Sequence, residues 1–350
     1  MMIRYLKQEE KIESRKLWEK VFSEDSESFI NYYFSDRVLK NKVLTAYKEE
    51  KMAAMLHRNP YEVVVKDHVW KIDYVAGVAT DPDFRHQGYM RKLLSRCFTD
   101  MYTERMAFSF QVPVDPAIYQ PFDYTYICDL PAMALNEKGR TELNRRAFME
   151  RSDECREVAE FVERQLEKRY EVYALRSEEY YRDLCKEVRS DSGDLLLLTT
   201  KAETSTLAGV WAYYGETAGT LRELICLPEY VKENGPTKPY AMGRIIHMEK
   251  FVSVISLKKE SPVDEMELLI EVKDSFIPQN NGLFLWKLDR KGSSLSPVKE
   301  ESERKPHLSL GIGEMTSWLF GYSLPSVPAD QMAVVERIRP LNGVFFDEVT

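Results

Sequence analysis

Apolar and polar positions alternate along this chain with two periods, and the sharpest change of period falls between Asp73 and Tyr102. The run DYVAGVAT is apolar and β-rich, which predicts a buried strand ending near Thr80, where Asp81-Pro82 turns the chain. From there on, Met90, Leu93, Leu94, Cys97, Phe98 and Met101 repeat at the spacing of one helix face. Strand, loop, helix is the reading. Upstream the pattern predicts a short strand at Ile3 to Leu6 and a helix near Lys11 to Phe22 with Leu17, Trp18, Val21 and Phe22 inward. A second short helix presents Phe29, Ile30, Tyr33 and Phe34. A hairpin of Lys42 to Tyr47 with Met52 to His57 follows, then another edge strand at Tyr61 to Val65. Downstream, Ala107 to Val112 reads as a strand that Pro113 and Pro116 cannot continue.

From Arg145 to Arg169 the chain becomes a charged helical run with Val158, Phe161, Val162 and Leu166 on one side. The order then repeats: strand Tyr170 to Leu175, helix Glu178 to Val188 capped by Ser177, and strands Leu195 to Thr199, Leu207 to Tyr214 and Thr220 to Cys226. Arg244 to His247 opens a third pattern. It has a helix about Met248 to Ile255, strands Glu265 to Val272 and Gly282 to Asp289, then His307 to Gly311 and a helix about Met315 to Phe320. The final stretch GVFFDEVT carries Val344, Phe345, Phe346 and Val349, and such an apolar end predicts docking rather than fraying.

At 350 residues the chain has room for two or three cores, and 44% hydrophobic with 30% charged residues is the composition of a globular protein. No apolar run is long enough to cross a bilayer and the N-terminus lacks the order of a signal peptide, so a cytoplasmic location is expected. Five scattered cysteines, none spaced C-x-x-C, read as reduced and buried; the five histidines form no metal-ligand motif, so no metal is expected. A net charge of -8 argues against nucleic acid as a partner and agrees loosely with a cationic small substrate.

The loop Arg85-His86-Gln87-Gly88-Tyr89-Met90 lies at a predicted helix N-terminus, where backbone N–H groups lack intrahelical partners and the dipole is positive. Gly88 lets a ligand approach the backbone, and Arg85 and Arg91 add charge that can fork onto phosphate oxygens. As letters alone R-x-x-G is weak. Gln279-Asn280-Asn281-Gly282 matches a looser form in what reads as a hairpin turn, and an ordinary loop glycine is the competing reading of Gly88.

In its context the stretch resembles the GNAT N-acetyltransferases, whose acetyl-CoA loop follows the pattern Q/R-x-x-G-x-G/A; Arg85, Gly88 and Met90 stand at the three positions. VAGVATDPDFRHQGYMRKLL with IYQPFDY downstream is similar more narrowly to the Eis (enhanced intracellular survival) branch. The resemblance implies an α/β (α+β) chain of mixed, mostly antiparallel sheets: an acetyl-CoA-binding unit at 1–145, a degenerate second GNAT unit at 146–240 and a sterol-carrier-protein-like unit at 241–350. It implies acetyl-CoA as co-substrate, held by the loop with His86 and Arg91 and by backbone groups of Val78 and Thr80, with Tyr119 beside them. Ile118 to Tyr124 resembles the family's I-x-G-R-F-G-Y stretch, which makes Tyr124 the general acid; the α-carboxylate of Thr350 becomes the base, with Asp347 and Glu348 as nearby competitors. The implied activity is acetyl transfer to a small-molecule amine, aminoglycoside-like or otherwise cationic, by a homo-oligomer that in Eis proteins is a hexamer. A lipid or acyl-CoA carrier using the C-terminal unit is the rival reading. In that unit Trp286, Trp318 and Phe320 are expected to fill the core.

Overall fold

The computed structural model describes residues 1–216, 219–298 and 305–349. Its first sheet is built on β1 (Met2–Tyr5), β2 (Lys42–Lys48), β3 (Lys51–Val65), β4 (His68–Thr80), β5 (Phe108–Gln111) and β6 (Thr125–Leu130). The first four run antiparallel in chain order, and β4 meets β5 in parallel. The separate edge strand expected at Tyr61 to Val65 is instead the continuation of β3. β2 ends opposite Arg58, so Pro60 lies beyond that ladder and its missing N–H breaks none of its bonds.

One face of this sheet carries α1 (Arg15–Val21), α2 (Glu27–Tyr32), a five-residue π turn at Tyr33–Arg37 and α3 (Val38–Lys40). Trp18, Tyr33 and Phe34 pack there on Met55 and Ala79. The opposite face carries α4 (Tyr89–Thr103), which buries Leu93, Leu94, Cys97, Phe98 and Met101 against Leu44, Leu56 and Val75. The predicted face is therefore the packed one, at about 1.5–3 kcal/mol for each large side chain removed from water. Its first member differs: Tyr89 is buried and Met90 only half-buried.

Strands from far along the chain complete the sheet. Lys238–Ile245 lies between β5 and β6, Val172–Ala174 pairs with the end of β3, and Val344–Phe345 pairs in parallel with Val172–Ala174. Arg244, expected to open the third unit, thus belongs to the first sheet, and the segment boundaries read from the sequence at 145 and 240 are not sheet boundaries.

A second sheet orders Thr220–Cys226, Leu207–Tyr214, Asp194–Thr200 and Leu143–Ala147, all antiparallel. The run from Arg145 is therefore first a strand and turns helical at Ser152–Leu166. Helix Glu178–Ser190 covers the same sheet, and the Ser177 hydroxyl accepts from the Tyr180 N–H at its start. A third sheet joins Ser293–Pro297, Gly282–Asp289, Glu265–Lys273 and, in parallel, Leu308–Gly311. Helix Ile312–Leu319 follows it, and Trp286, Trp318 and Phe320 fill its core with almost no exposed surface. No helix among the described residues is long and apolar enough to cross a membrane.

Candidate active site

β4 is distorted where it reaches the loop. The β3 register slips between Met55 and His57, and Gly77 on β4 takes φ +54. A Cβ there would stand 2.6 Å from the Trp18 ring and 3.3 Å from His57, so only glycine fits this bulge. Beyond it the Asp81 N–H returns to the Ala53 carbonyl at 2.9 Å and Ala79 is opposite Met55. Backbone groups alternate along a strand, so those of Val78 and Thr80 face away from β3, toward β5. β5 does not receive them: its only register partner on β4 is the pair Tyr74 and Phe110. The two strands part beyond that pair, leaving the last turn of β4 with a free edge.

The chain leaves that edge through Asp81, whose carboxylate accepts from the Asp83 N–H, and a single turn at Pro82–Phe84. His86 (φ 61) and Gly88 (φ 76) are both left-handed, and Gly88 stands at the N-cap of α4. Nothing lies within 4 Å of where a Gly88 Cβ would point. Arg85, His86, Gln87, Gly88 and Arg91 are exposed around this opening; the Arg85 Nε reaches the Thr80 carbonyl at 3.4 Å, and the Arg91 guanidinium lies 5.2 Å from the Phe122 ring centre. The result is a ring of backbone donors and two guanidinium groups beside the free edge of β4, suited to a phosphate-bearing ligand with an extended arm.

Tyr124 is buried on the α4 side of the sheet, close to where β4 and β5 still meet. Its hydroxyl donates to Ser109 Oγ at 3.1 Å and Ser109 donates to the Asp73 carbonyl at 2.9 Å, tying β6 to β5 and β4. Burial pushes the Tyr124 phenol up from its ordinary range. Tyr119 stands edge-on to it with ring centres 6.1 Å apart. Asp123, at the second glycine of the resembled stretch, takes the left-handed backbone (φ 61) that a glycine would supply.

On the opposite face a cleft of about 250 Å³ lies between the α1–α2 segment, the π turn and helix Glu178–Ser190. Asp25, Asp191 and Glu187 make it acidic, Tyr33 and Arg37 come from the π turn, and Val349 closes one side. Lys40 bonded to Asp183 (2.6 Å) and Glu179 (2.8 Å), with Lys186 to Asp36 (2.8 Å), ties its two walls together. Asp25 is raised by burial although the Trp18 Nε1–H donates to it at 2.8 Å. The Tyr33 hydroxyl meets His57 Nδ1 at 2.9 Å, and burial pushes His57 down to about 3, so this imidazole is neutral. His57 also borders Gly77, which puts the cleft floor next to the bulge of β4.

Residues 2–127 match the family described as acetyltransferase (GNAT) domain. The chain carries a GNAT acetyltransferase domain. Residues 248–342 match the sterol carrier protein domain family. A probable N-acyltransferase of unknown function from Enterococcus faecalis V583 shares the fold at TM-score 0.76 and 13% identity, over 98% of this chain and 99% of that one. A GCN5-related N-acetyltransferase from Kribbella flavida does so at 0.75 and 12% (100% and 98%), and Eis1 from Mycobacterium abscessus at 0.69 and 12% (99% and 100%). At these identities the likeness is one of fold. No curated protein matches the sequence.

Within the GNAT domain, Val78, Thr80, Arg85, His86, Gly88, Met90 and Arg91 gather where β4 ends and α4 begins, and Tyr119 and Tyr124 stand together beyond β5. Thr350 lies outside the described residues. The segment before it is docked as expected: Phe346 stacks on Phe110 with ring centres 4.2 Å apart, and Asp347 and Glu348 are buried. Their anchors were not read from the sequence. Arg176 bonds Glu223 (2.9 Å), Glu348 (2.6 Å) and Asp347, while Arg222 bonds Glu187 (2.9 Å) and the Asp347 carbonyl (2.8 Å). Adjacent to a capping serine, Arg176 looks like any surface charge; its place just after the strand Val172–Ala174 was the signal available in the sequence. Among the described residues no cluster of three or more His, Cys, Asp or Glu gathers to hold a metal.

Proposed function

We propose that the protein is an acetyl-CoA-dependent N-acetyltransferase acting on a small primary amine by direct transfer. The observation that carries this is the junction at Gly77 and Gly88: an anion-binding helix N-terminus on the free edge of β4, with an acidic cleft on the other face whose floor residue Tyr33 bonds His57, the neighbour of that bulge. The CoA phosphates lie on the backbone donors at Gly88 with Arg85 and Arg91, and the pantetheine arm adds to β4 through Val78 and Thr80, as a further strand would. The thioester carbonyl is polarised by a backbone N–H near Val78.

The amine enters from the acidic cleft and is deprotonated by the α-carboxylate of Thr350, next to Val349 on the cleft wall. Its nitrogen attacks the thioester carbon, the C–N bond forms and the C–S bond breaks. The departing thiolate takes the proton of the Tyr124 hydroxyl, which the base returns by way of solvent. Burial at Tyr124 keeps the proton on the phenol until a thiolate develops beside it. No acyl-enzyme is required, in keeping with five buried cysteines. The reading includes assembly into a homo-oligomer, up to a hexamer, which light scattering checks. The carrier alternative is weakened by the aromatic filling of the C-terminal core.

The test is acetyl-CoA consumption with release of free thiol against a panel of amines, comparing the intact protein, Tyr124→Phe and a form extended past Thr350. Turnover that falls in both variants supports the two roles. Failure to bind acetyl-CoA rejects the loop as its site.

A further inference from the structure

The arginines enclosed by this fold have carboxylate partners: Arg58 meets Asp73 at 2.7 Å, Arg222 meets Glu187 at 2.9 Å and Arg244 meets Asp274 at 2.6 Å. Arg37 differs. It projects from the π turn into the acidic cleft, and among the described residues its guanidinium makes one hydrogen bond, Nη2 to the Tyr61 hydroxyl at 2.7 Å, and lies over that ring at 5.2 Å. No carboxylate among the described residues lies within ion-pair distance of it. The nearest acid of the cleft, Glu187, already accepts from Arg222 and from the Tyr214 hydroxyl. A half-buried guanidinium with a single neutral hydrogen-bond partner is free to take an anion from the cleft, and a π turn interrupting a helix is frequent at functional sites. The cleft therefore offers two poles: Asp25 and Asp191 for a cation, and Arg37 for an anion.

We propose that the acceptor carries a carboxylate as well as its amine, that is, an amino acid, with the carboxylate on Arg37 and the ammonium toward Asp25 and Asp191. This rests on the N-acetyltransferase reading. A purely cationic substrate would place its charges beside Arg37 and leave that group unpaired, whereas the planar fork of a guanidinium suits a carboxylate through two parallel bonds.

The experiment compares L-amino acids with their α-carboxamides as acceptors at saturating acetyl-CoA, reading free thiol. The carboxamide's amine is the less basic of the two, so a preference for the acid cannot arise from amine availability. The expected result is kcat/KM lower by roughly 10- to 100-fold for the carboxamide, the value of one charge-assisted contact. That gap closes in Arg37→Met and is partly kept in Arg37→Lys, with thermal melting confirming that both variants fold. Equal kcat/KM for acid and carboxamide overturns the proposal. So does an Arg37→Met variant that loses the same factor on amino acids and on plain diamines, the result expected if the protein's own terminal carboxylate occupies Arg37. Turnover of diamines with none of amino acids overturns it while leaving the acetyltransferase reading intact. If no amine turns over, calorimetric binding of the same acids and carboxamides without acetyl donor still decides: tighter binding of the acid that Arg37→Met abolishes sustains the proposal, and no difference rejects it.

Discussion

The buried Arg176 guanidinium donates through Nη1 to Oε1 of Glu348 at 2.6 Å, so the last turn of the chain is held by a residue at the entrance of helix Glu178–Ser190. Phe346 on Phe110 then fixes the tail against the strand next to the opening in the first sheet. Replacing Arg176 with Met leaves Glu223, Asp347 and Glu348 buried around a lost cation, a change that costs about 3–5 kcal/mol. Denaturant unfolding should register that loss, and amide exchange at 344–349 should accelerate more than exchange in the third sheet.

The same cluster gives the protein a pH-dependent stability of defined sign. Burial and the neighbouring Asp347 raise Glu223 to about 7 against the pull of Arg176, and burial raises Glu348 as well. A carboxyl raised on folding binds its proton more tightly in the folded state. Its stabilising contribution is therefore complete below its ordinary value near 4.5 and fades as the pH climbs toward 7. Glu223→Gln removes this titration, so its stability relative to the parent should improve between about pH 5 and pH 8. Melting temperatures of the two proteins across that window provide the check, and parallel curves would contradict it.

Tyr124→Phe separates chemistry from packing. The ring and its contact with Phe98 remain, and the lost bond to Ser109 costs only about 1 kcal/mol. As general acid its removal should lower kcat by roughly 100-fold or more with little change in the KM for acetyl-CoA. A melting curve close to the parent's with unaltered kcat would remove Tyr124 from the mechanism.

At Gly88 a Cβ meets no atom within 4 Å, so Gly88→Ala suffers only the left-handed backbone (φ 76), about 1 kcal/mol. If the space above the loop belongs to the CoA phosphates, the KM for acetyl-CoA should rise several-fold beyond what this loss of stability explains. Titration of acetyl-CoA by intrinsic fluorescence or calorimetry measures it directly.

What could be read from the sequence was whatever depends on neighbours within a few residues. The face of α4 is a matter of period, the turn at Asp81-Pro82 of backbone restriction, and the docking of Val344 to Phe346 of apolar content at a chain end; each is found in the structure. The GNAT domain and the sterol-carrier domain were legible through resemblance to a known family, carried by the stretch from Val75 to Leu94 with Ile118 to Tyr124 and by the order of elements near the C-terminus. Long-range choices were hidden. Lys238–Ile245 carries an ordinary strand pattern, which does not state that its neighbours are β5 and β6. Arg37 and Arg176 look alike as letters, yet one ends among three carboxylates and the other against a phenol. The loop residues from Arg85 to Arg91 could be located because phosphate binding uses backbone at a helix start; the cleft could not, because the second sheet supplies half of it.

The strand Lys238–Ile245 pairs Lys238 with Leu130 on one side and Ile245 with Phe108 on the other. A fragment ending after β6 would thus lack the strand that separates β5 from β6, and both would present unpaired edges to other chains. Recombination that exchanges whole domains at residue 127 or 145 would hand on an open sheet rather than a working module. The GNAT domain therefore keeps a closed sheet only when it is inherited together with the segment that loops out between β6 and its partner strand.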